Sequence, residues 1–214
     1  LKELPDKVES DLYLDMNEEQ REIYTRTVAE IREEVLEAFD QKQSSQAGIV
    51  ALSALTRLRQ VCLSPEILGK PTRQVAPKIA YLMESLKELA DEGHSAIVFS
   101  QFTKMLDLLE HSSKSIDLPV LRLDGKTSAK QRKTKVNQFQ NSDTPQVFLI
   151  SLKAGGVGLN LTRAQYVYHA DPWWNPAVEN QASDRAHRIG QAHTVFVQRV
   201  LMRHTVEEKI MELK

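Results

Sequence analysis

A single cysteine, Cys62, stands in 214 residues, so no internal disulfide can form, as expected of a chain kept in a reducing compartment. Its apolar setting, LTRLRQVCL, makes it a buried helical thiol. The longest apolar runs, such as AIVF and VFLIS, fall far short of the roughly 20 residues that a membrane span needs. No charged-then-apolar leader opens the sequence, and no membrane partner is expected. The six histidines show no pairing with cysteine or carboxylate at ligand spacing, so no metal site made of protein ligands is expected. Nucleotide signatures are incomplete as well. GKT at 125–127 ends like a P-loop, but the glycine required five residues before Gly125 is replaced by Val120, inside an apolar strand. G-x-G-x-x-G does not occur, and YVYHAD runs into Pro172 rather than into an acidic pair able to hold magnesium. The chain carries no complete ATP site. It opens on Leu1 and its last helical pattern is cut after Lys214, so a longer parent protein is expected.

What is present is unevenly distributed. The net charge is only −1, yet residues 1–42 hold 13 acidic and 6 basic side chains, leaving 22 basic and 16 acidic for the remainder. Between 122 and 140, Arg122, Lys126, Lys130, Arg132, Lys133 and Lys135 face Asp124 alone. Such a cluster attracts phosphate backbones, or forms a solvated helix face.

Residues 8–16 alternate, with Val8, Leu12, Leu14 and Met16 on one side, which predicts a half-buried strand. Asn17 and Gln20 have capping-box spacing ahead of a long charged helix whose apolar face runs Tyr24, Val28, Ile31, Val35. A second helix covers 47–63. The segment from Pro65 to Pro77 breaks regular structure and sets a boundary between an arm, 1–75, and a main domain, 76–214. Beyond it, amphipathic helices alternate with the strands AIVF, VLRLD, VFLIS, YVYHA and VFVQRVL, and Thr205 and Glu208 have capping-box spacing before a last helix. The pattern predicts an α/β fold, a parallel sheet flanked by helices and preceded by a helical arm. Ligands then gather at the carboxyl ends of the strands, after Phe99, Asp124, Ser151, Asp171 and Leu201.

Three of the eight glycines, Gly155, Gly156 and Gly158, follow the strand ending at Ser151. They let backbone amides approach an anion, or simply make a tight turn. Asn175 and Pro176 start a helix over 176–188. At about 100° per residue, Gln181, Asp184, Arg185 and Arg188 share one sector of it, either as phosphate ligands or as an ordinary ion-paired surface. Trp173 and Trp174, the only tryptophans, pack or stack on a nucleic acid.

IVFSQF, LDGKTSAKQR, SLKAGGVGLNL, DPWWNP and QASDRAHRIGQ, in that order, resemble the motifs of the second RecA-like lobe of SWI/SNF-type ATPases in helicase superfamily two. LRQVCLSPEIL and LPDKVESDLYLDMNEEQREIY are similar to the segments that lead into that lobe, residues 1–75 then being inter-lobe linker and helical extension. The resemblance implies that Arg185 and Arg188 complete an ATP site across a cleft, with Gln181 beside them. It implies that Gly156 and Gly158 couple nucleotide to DNA, and that Ser100, Gln101, Lys126, Ser151, Lys153 and Trp174 track a DNA strand. ATP and magnesium would be held mainly by a first RecA-like lobe, whose P-loop and acidic motif this sequence lacks; residues 1–214 alone are then not expected to hydrolyse ATP. The partners implied are double-stranded DNA, that first lobe and a protein–DNA complex as remodelling substrate, in a bacterial nucleoid or a nucleus. A non-catalytic binding module and an RNA helicase lobe are the rival readings.

Overall fold

The computed structural model describes residues 3–41, 44–154 and 159–214. Six strands form one parallel sheet: β1 (Lys7–Leu14), β2 (Ala96–Ser100), β3 (Val120–Leu123), β4 (Val147–Ser151), β5 (Tyr166–His169) and β6 (Val195–Met202), in the order β1-β6-β5-β2-β4-β3. The helices are α1 (Glu18–Asp40), α2 (Ser44–Leu63), α3 (Pro77–Asp91), α4 (Thr103–Ser115), α5 (Ala129–Asn141), α6 (Pro176–Ser183) and α7 (Val206–Glu212), with a short 3-10 helix at Pro65–Leu68. The predicted parallel α/β architecture is present.

The continuous apolar strands are explained by burial on both faces. Ala96 and Val98 of β2 join Leu82, Leu86, Leu106 and Leu109 in one core, while Ile97 and Phe99 join Phe139, Phe148, Ala182 and Val197 in the other. Alternate residues of one strand thus enter different cores, so no polar position is left along it. β2 is central, with β4 on one side and β5 on the other.

The half-buried strand predicted at 8–16 is an edge strand, hydrogen-bonded to β6 from Lys7 opposite Val195 to Leu14 opposite Met202. Val8 is exposed there, and Leu12, Tyr13 and Leu14 are half-covered. Asp11 lies directly opposite Arg199, which reaches it at 2.7 Å, and Arg203 meets Asp15 at 3.0 Å. Acidic side chains in and just after β1 therefore meet the arginines in and just after β6 across the ladder.

Only the root of α1 is buried, through Gln20, Ile23, Tyr24 and Thr27. Asn17 caps it by accepting from the Gln20 amide at 2.8 Å, but the reciprocal half of the box is absent. The Gln20 side chain donates instead to the carbonyls of Val61 and Cys62, at 2.8 and 3.2 Å, tying α1 to the end of α2. At the other terminus Thr205 accepts from Glu207 N and Glu208 accepts from His204 N, so the box expected between Thr205 and Glu208 is also replaced. Cys62 is fully buried in α2, as its setting predicted, and burial pushes its thiol well above the usual range.

One ion pair is wholly buried. Lys78, in the first turn of α3, donates to Ala170 O at 2.5 Å and lies 2.8 and 2.9 Å from the two carboxylate oxygens of Glu207 in α7. Glu207 also accepts from Met202 N at 2.9 Å. Breaking such a pair strands a charge, whereas replacing both partners by apolar residues does not. Lys78→Met is expected to cost about 3–5 kcal/mol in urea unfolding, and Lys78→Met with Glu207→Leu to regain most of that loss. Similar midpoints for the single variant and the parent would show that the pair contributes little.

Candidate functional site

The carboxyl ends of β2, β4 and β5 are stitched by backbone bonds from Leu152 N to Ser100 O, 2.8 Å, and from Ala170 N to Phe99 O, 2.9 Å. Asp171, just beyond β5, is the hub. It accepts from the Ser100 hydroxyl at 2.6 Å and from the Gln101 amide at 3.3 and 3.4 Å, and Arg59 Nη2 of α2 stands 4.0 Å away. Burial pushes the Asp171 carboxyl up, opposed by the Ser100 hydroxyl, Lys78 and Arg59. Gln101 also donates to Pro172 O at 3.2 Å. Ser100, 2 % exposed, is committed to positioning Asp171 and presents no surface to a nucleic acid. Trp173 and Trp174 stack at 5.0 Å, both half-buried, over the Arg59 guanidinium.

As the local signals predicted, Asn175 caps α6, accepting from Ala177 N at 3.0 Å, with Pro176 in the first turn. The helix expected over 176–188, however, ends at Ser183, and 184–190 are turns and bends. Gln181 is therefore helical and exposed, while Arg185 and Arg188 leave the helix and cannot share its face. They are tied instead to the segment after the glycine loop: Leu161 N donates to Arg185 O at 3.0 Å, and Arg188 Nη1 donates to Leu159 O at 2.9 Å. Arg185 is 8 % exposed, and its buried Nε has no hydrogen-bond partner among the described residues. Gly156 and Gly158 lie outside the described residues.

Sequence reasoning missed what shapes this turn. Gln191 donates to the carbonyls of Thr162, Ala164 and Ala186, at 2.7, 3.0 and 3.1 Å, and accepts from His193 N. His187 contacts Pro5 O at 2.6 Å, fixing the start of the arm to the arginine turn. HRIGQ was legible only as a motif, not as this set of contacts. Arg59 and Asp171 were missed too, although a charge inside LTRLRQVCL or closing YVYHAD is the signal that marks them.

The remaining predicted residues end or follow different strands. Lys153 and Lys126 are exposed; Ser151 is buried, accepting from Ala154 N at 3.3 Å. The basic cluster is smaller than its local charge suggests. Arg122 is matched by Asp107 and Glu110 of α4 together with Asp124, and Lys135 donates to Arg122 O at 2.6 Å. Lys126, Lys130 and Lys133 stay exposed and Arg132 half-exposed. Arg132 and Lys133 line a groove of about 480 Å³ with Thr127, Val136, Leu159 and Asn160, so α5 faces the same strand-end segment that Arg188 holds.

Residues 77–190 match the family described as the helicase conserved C-terminal domain. The Sulfolobus solfataricus SWI2/SNF2 ATPase core in complex with dsDNA is 33% identical, superposes with a TM-score of 0.82 and aligns with 99% of this chain and 44% of its own. The chain belongs to the helicase C-terminal domain of SWI2/SNF2-type ATPases. An ATP-dependent helicase of Mycoplasma pneumoniae is 38% identical over 100% of this chain and 20% of its own length. The rice DNA excision repair protein CSB is 35% identical over 97% of this chain and 18% of its own. The SWI2/SNF2 lobe therefore spans about a fifth of the curated relatives it matches. No helix among the described residues is long and apolar enough to cross a membrane.

In this lobe His169 fastens α6 to the sheet, sharing a 3.0 Å hydrogen bond with Ser183 Oγ and stacking on Phe99. Burial, with Arg199 and Lys214 adding, pushes its pKa down to about 3. The folded value is below the unfolded one, so the neutral ring's contribution is complete above pH about 6.5 and lost as pH falls toward 3. The stability gap between parent and His169→Asn is expected to be flat above pH 6.5 and to narrow by about 3 kcal/mol by pH 4. Urea midpoints at several pH values measure it; a gap independent of pH would place the ring's titration elsewhere.

Proposed function

We propose that this lobe is the second half of an ATP-driven motor on double-stranded DNA, residues 1–75 being the linker from a first RecA-like lobe. The observation that carries the reading is the arginine turn: a buried Arg185 whose Nε has no partner among the described residues, next to an Arg188 tethered to Leu159 O. A desolvated guanidinium with free N–H groups favours an anion, and a phosphate supplies matching oxygens. Arg185 and Arg188 act across the interlobe cleft on ATP, stabilising the charge that develops in phosphoryl transfer, with Gln181 beside them. The relatives described as ATP-dependent helicases and as a SWI2/SNF2 core bound to dsDNA support the choice of substrate and track.

No group of three or more His, Cys, Asp or Glu among the described residues could hold a metal ion. The magnesium that accompanies ATP is assigned to a first lobe, whose P-loop and acidic motif the family resemblance implies, and residues 1–214 alone are expected not to turn ATP over. Gly156 and Gly158 relay nucleotide state to DNA. Gln101, Lys126, Lys153 and Trp174 line the strand-end face as the tracking surface, while Ser100 and Ser151 serve it from below. A protein–DNA complex is the object that translocation displaces, in a nucleoid or a nucleus.

In the complete protein, Arg188→Ala is expected to lower DNA-stimulated ATP turnover by about 10³-fold, within the range of arginine fingers. The fold should lose only about 1 kcal/mol, from the bond to Leu159 O. Near-parental turnover would remove Arg188 from the transition state. Duplex binding is expected to weaken with salt, and Lys130→Ala or Lys133→Ala each to reduce the slope of log affinity against log salt by about 1. Arg122→Ala leaves that slope unchanged, because its charge is already matched; an equal effect from Arg122 would return it to the phosphate-facing set.

A further inference from the structure

Arg59 of α2 is only 5 % exposed, yet it is not fixed by hydrogen bonds: neither Nε nor Nη2 has a partner among the described residues. Its guanidinium carbon lies 5.2 Å from the Phe102 ring and 5.4 Å from each of the Trp173 and Trp174 rings, with Asp171 4.0 Å from Nη2. Phe102 follows β2, the tryptophans follow β5, and Arg59 belongs to the arm. One cation therefore gathers three segments.

We propose that Arg59 is a positioning residue, which sets the Trp173–Trp174 loop against the strand-end face and couples the orientation of the helical arm to the grip on DNA. The inference rests on the reading of Trp174 and Gln101 as DNA-tracking. Its physical basis is the kind of contact made. Cation–π attraction is strong for a desolvated guanidinium but weakly directional. The tryptophan pair can slide across Arg59 without breaking a hydrogen bond to it, Trp173 N itself donating to Glu179 Oε2 at 3.4 Å, while Asp171, locked by Ser100 and Gln101, keeps the charge from leaving. Lys78 is the contrast, a buried cation with carbonyl and carboxylate partners at 2.5–2.9 Å that hold one geometry. The fully bonded cation fixes the frame, and the one held against ring faces carries the tryptophan loop.

Both tryptophans of residues 1–214 are on this loop, so their emission reports it without interference. With Arg59→Met, emission of this chain is expected to shift to the red as the indoles gain water. In the complete ATPase the duplex concentration for half-maximal turnover is expected to rise roughly tenfold, the size of one lost stacking or backbone contact. The maximal rate at saturating duplex is expected to stay within about twofold, because the loop affects binding more than the chemical step. Arg59→Lys, which keeps the charge but loses the delocalised guanidinium, falls between. An Arg59→Met protein with parental emission, or with a parental duplex requirement, overturns the proposal. If that variant does not fold, Arg59→Lys decides by the same two measurements. Trp174→Ala separates the two levels of inference. If Trp174→Ala raises the duplex requirement while Arg59→Met does not, the Arg59 role falls and the DNA-facing reading stands. If neither variant alters the requirement, both fall.

Discussion

Two cations and two carboxylates are buried together where the carboxyl ends of β2 and β5 meet α2, α3 and α7: Lys78 and Arg59, Glu207 and Asp171. Taking such charges out of water is unfavourable unless each is answered, and their mutual attraction in the interior is the answer. The constraint is geometric as well as energetic. Lys78 and Glu207 are 129 residues apart in sequence, and Lys78 also grips the carbonyl preceding Asp171. The last helix, the first helix of the βα alternation and the end of a central strand therefore have to assemble together. The strand-end loops that carry the site are built on that assembly.

Polar groups in the site divide by how fully they are bonded. Ser100, Gln191 and Asn175 are satisfied by specific neighbours and hold loops in place. Arg185 and Arg59 are buried with N–H groups unmatched among the described residues. Orphaned buried donors are uncommon in folded proteins. Their presence marks where this lobe has kept capacity for something outside its own fold.

The sequence was legible wherever a local rule decides the outcome. Both-face burial imposed the apolar strands, and Asn175 with Pro176 announced the start of α6. The end of α6 was not legible, because it is set by Gln191 collecting three carbonyls and by Leu161 bonding to Arg185, contacts made across the chain. Projecting Arg185 and Arg188 at helical spacing therefore placed on one helix face two side chains that a turn carries. Arg122 repeats the lesson in charge: the stretch 122–140 looks strongly basic until α4 brings Asp107 and Glu110 beside it. Gln20 does so for capping, since its side chain found carbonyls more than 40 residues away instead of its own helix. Family resemblance identified the motifs, but neither it nor periodicity distinguished Ser100, buried beneath Asp171, from the exposed Lys153.

The parallel pairing of β1 with β6 also has a mechanical meaning. Eight residues of β1 run alongside β6 in continuous register, and charged pairs reinforce the ladder near its middle and end. Tension along the polypeptide at this edge pulls in the direction of the strands, loading the ladder's bonds in shear and together rather than peeling them one by one. The sheet edge is thus a joint suited to bearing force. α1, leaving from the far end of β1, is a lever whose fulcrum is held by that joint and by the Gln20 bonds to the end of α2.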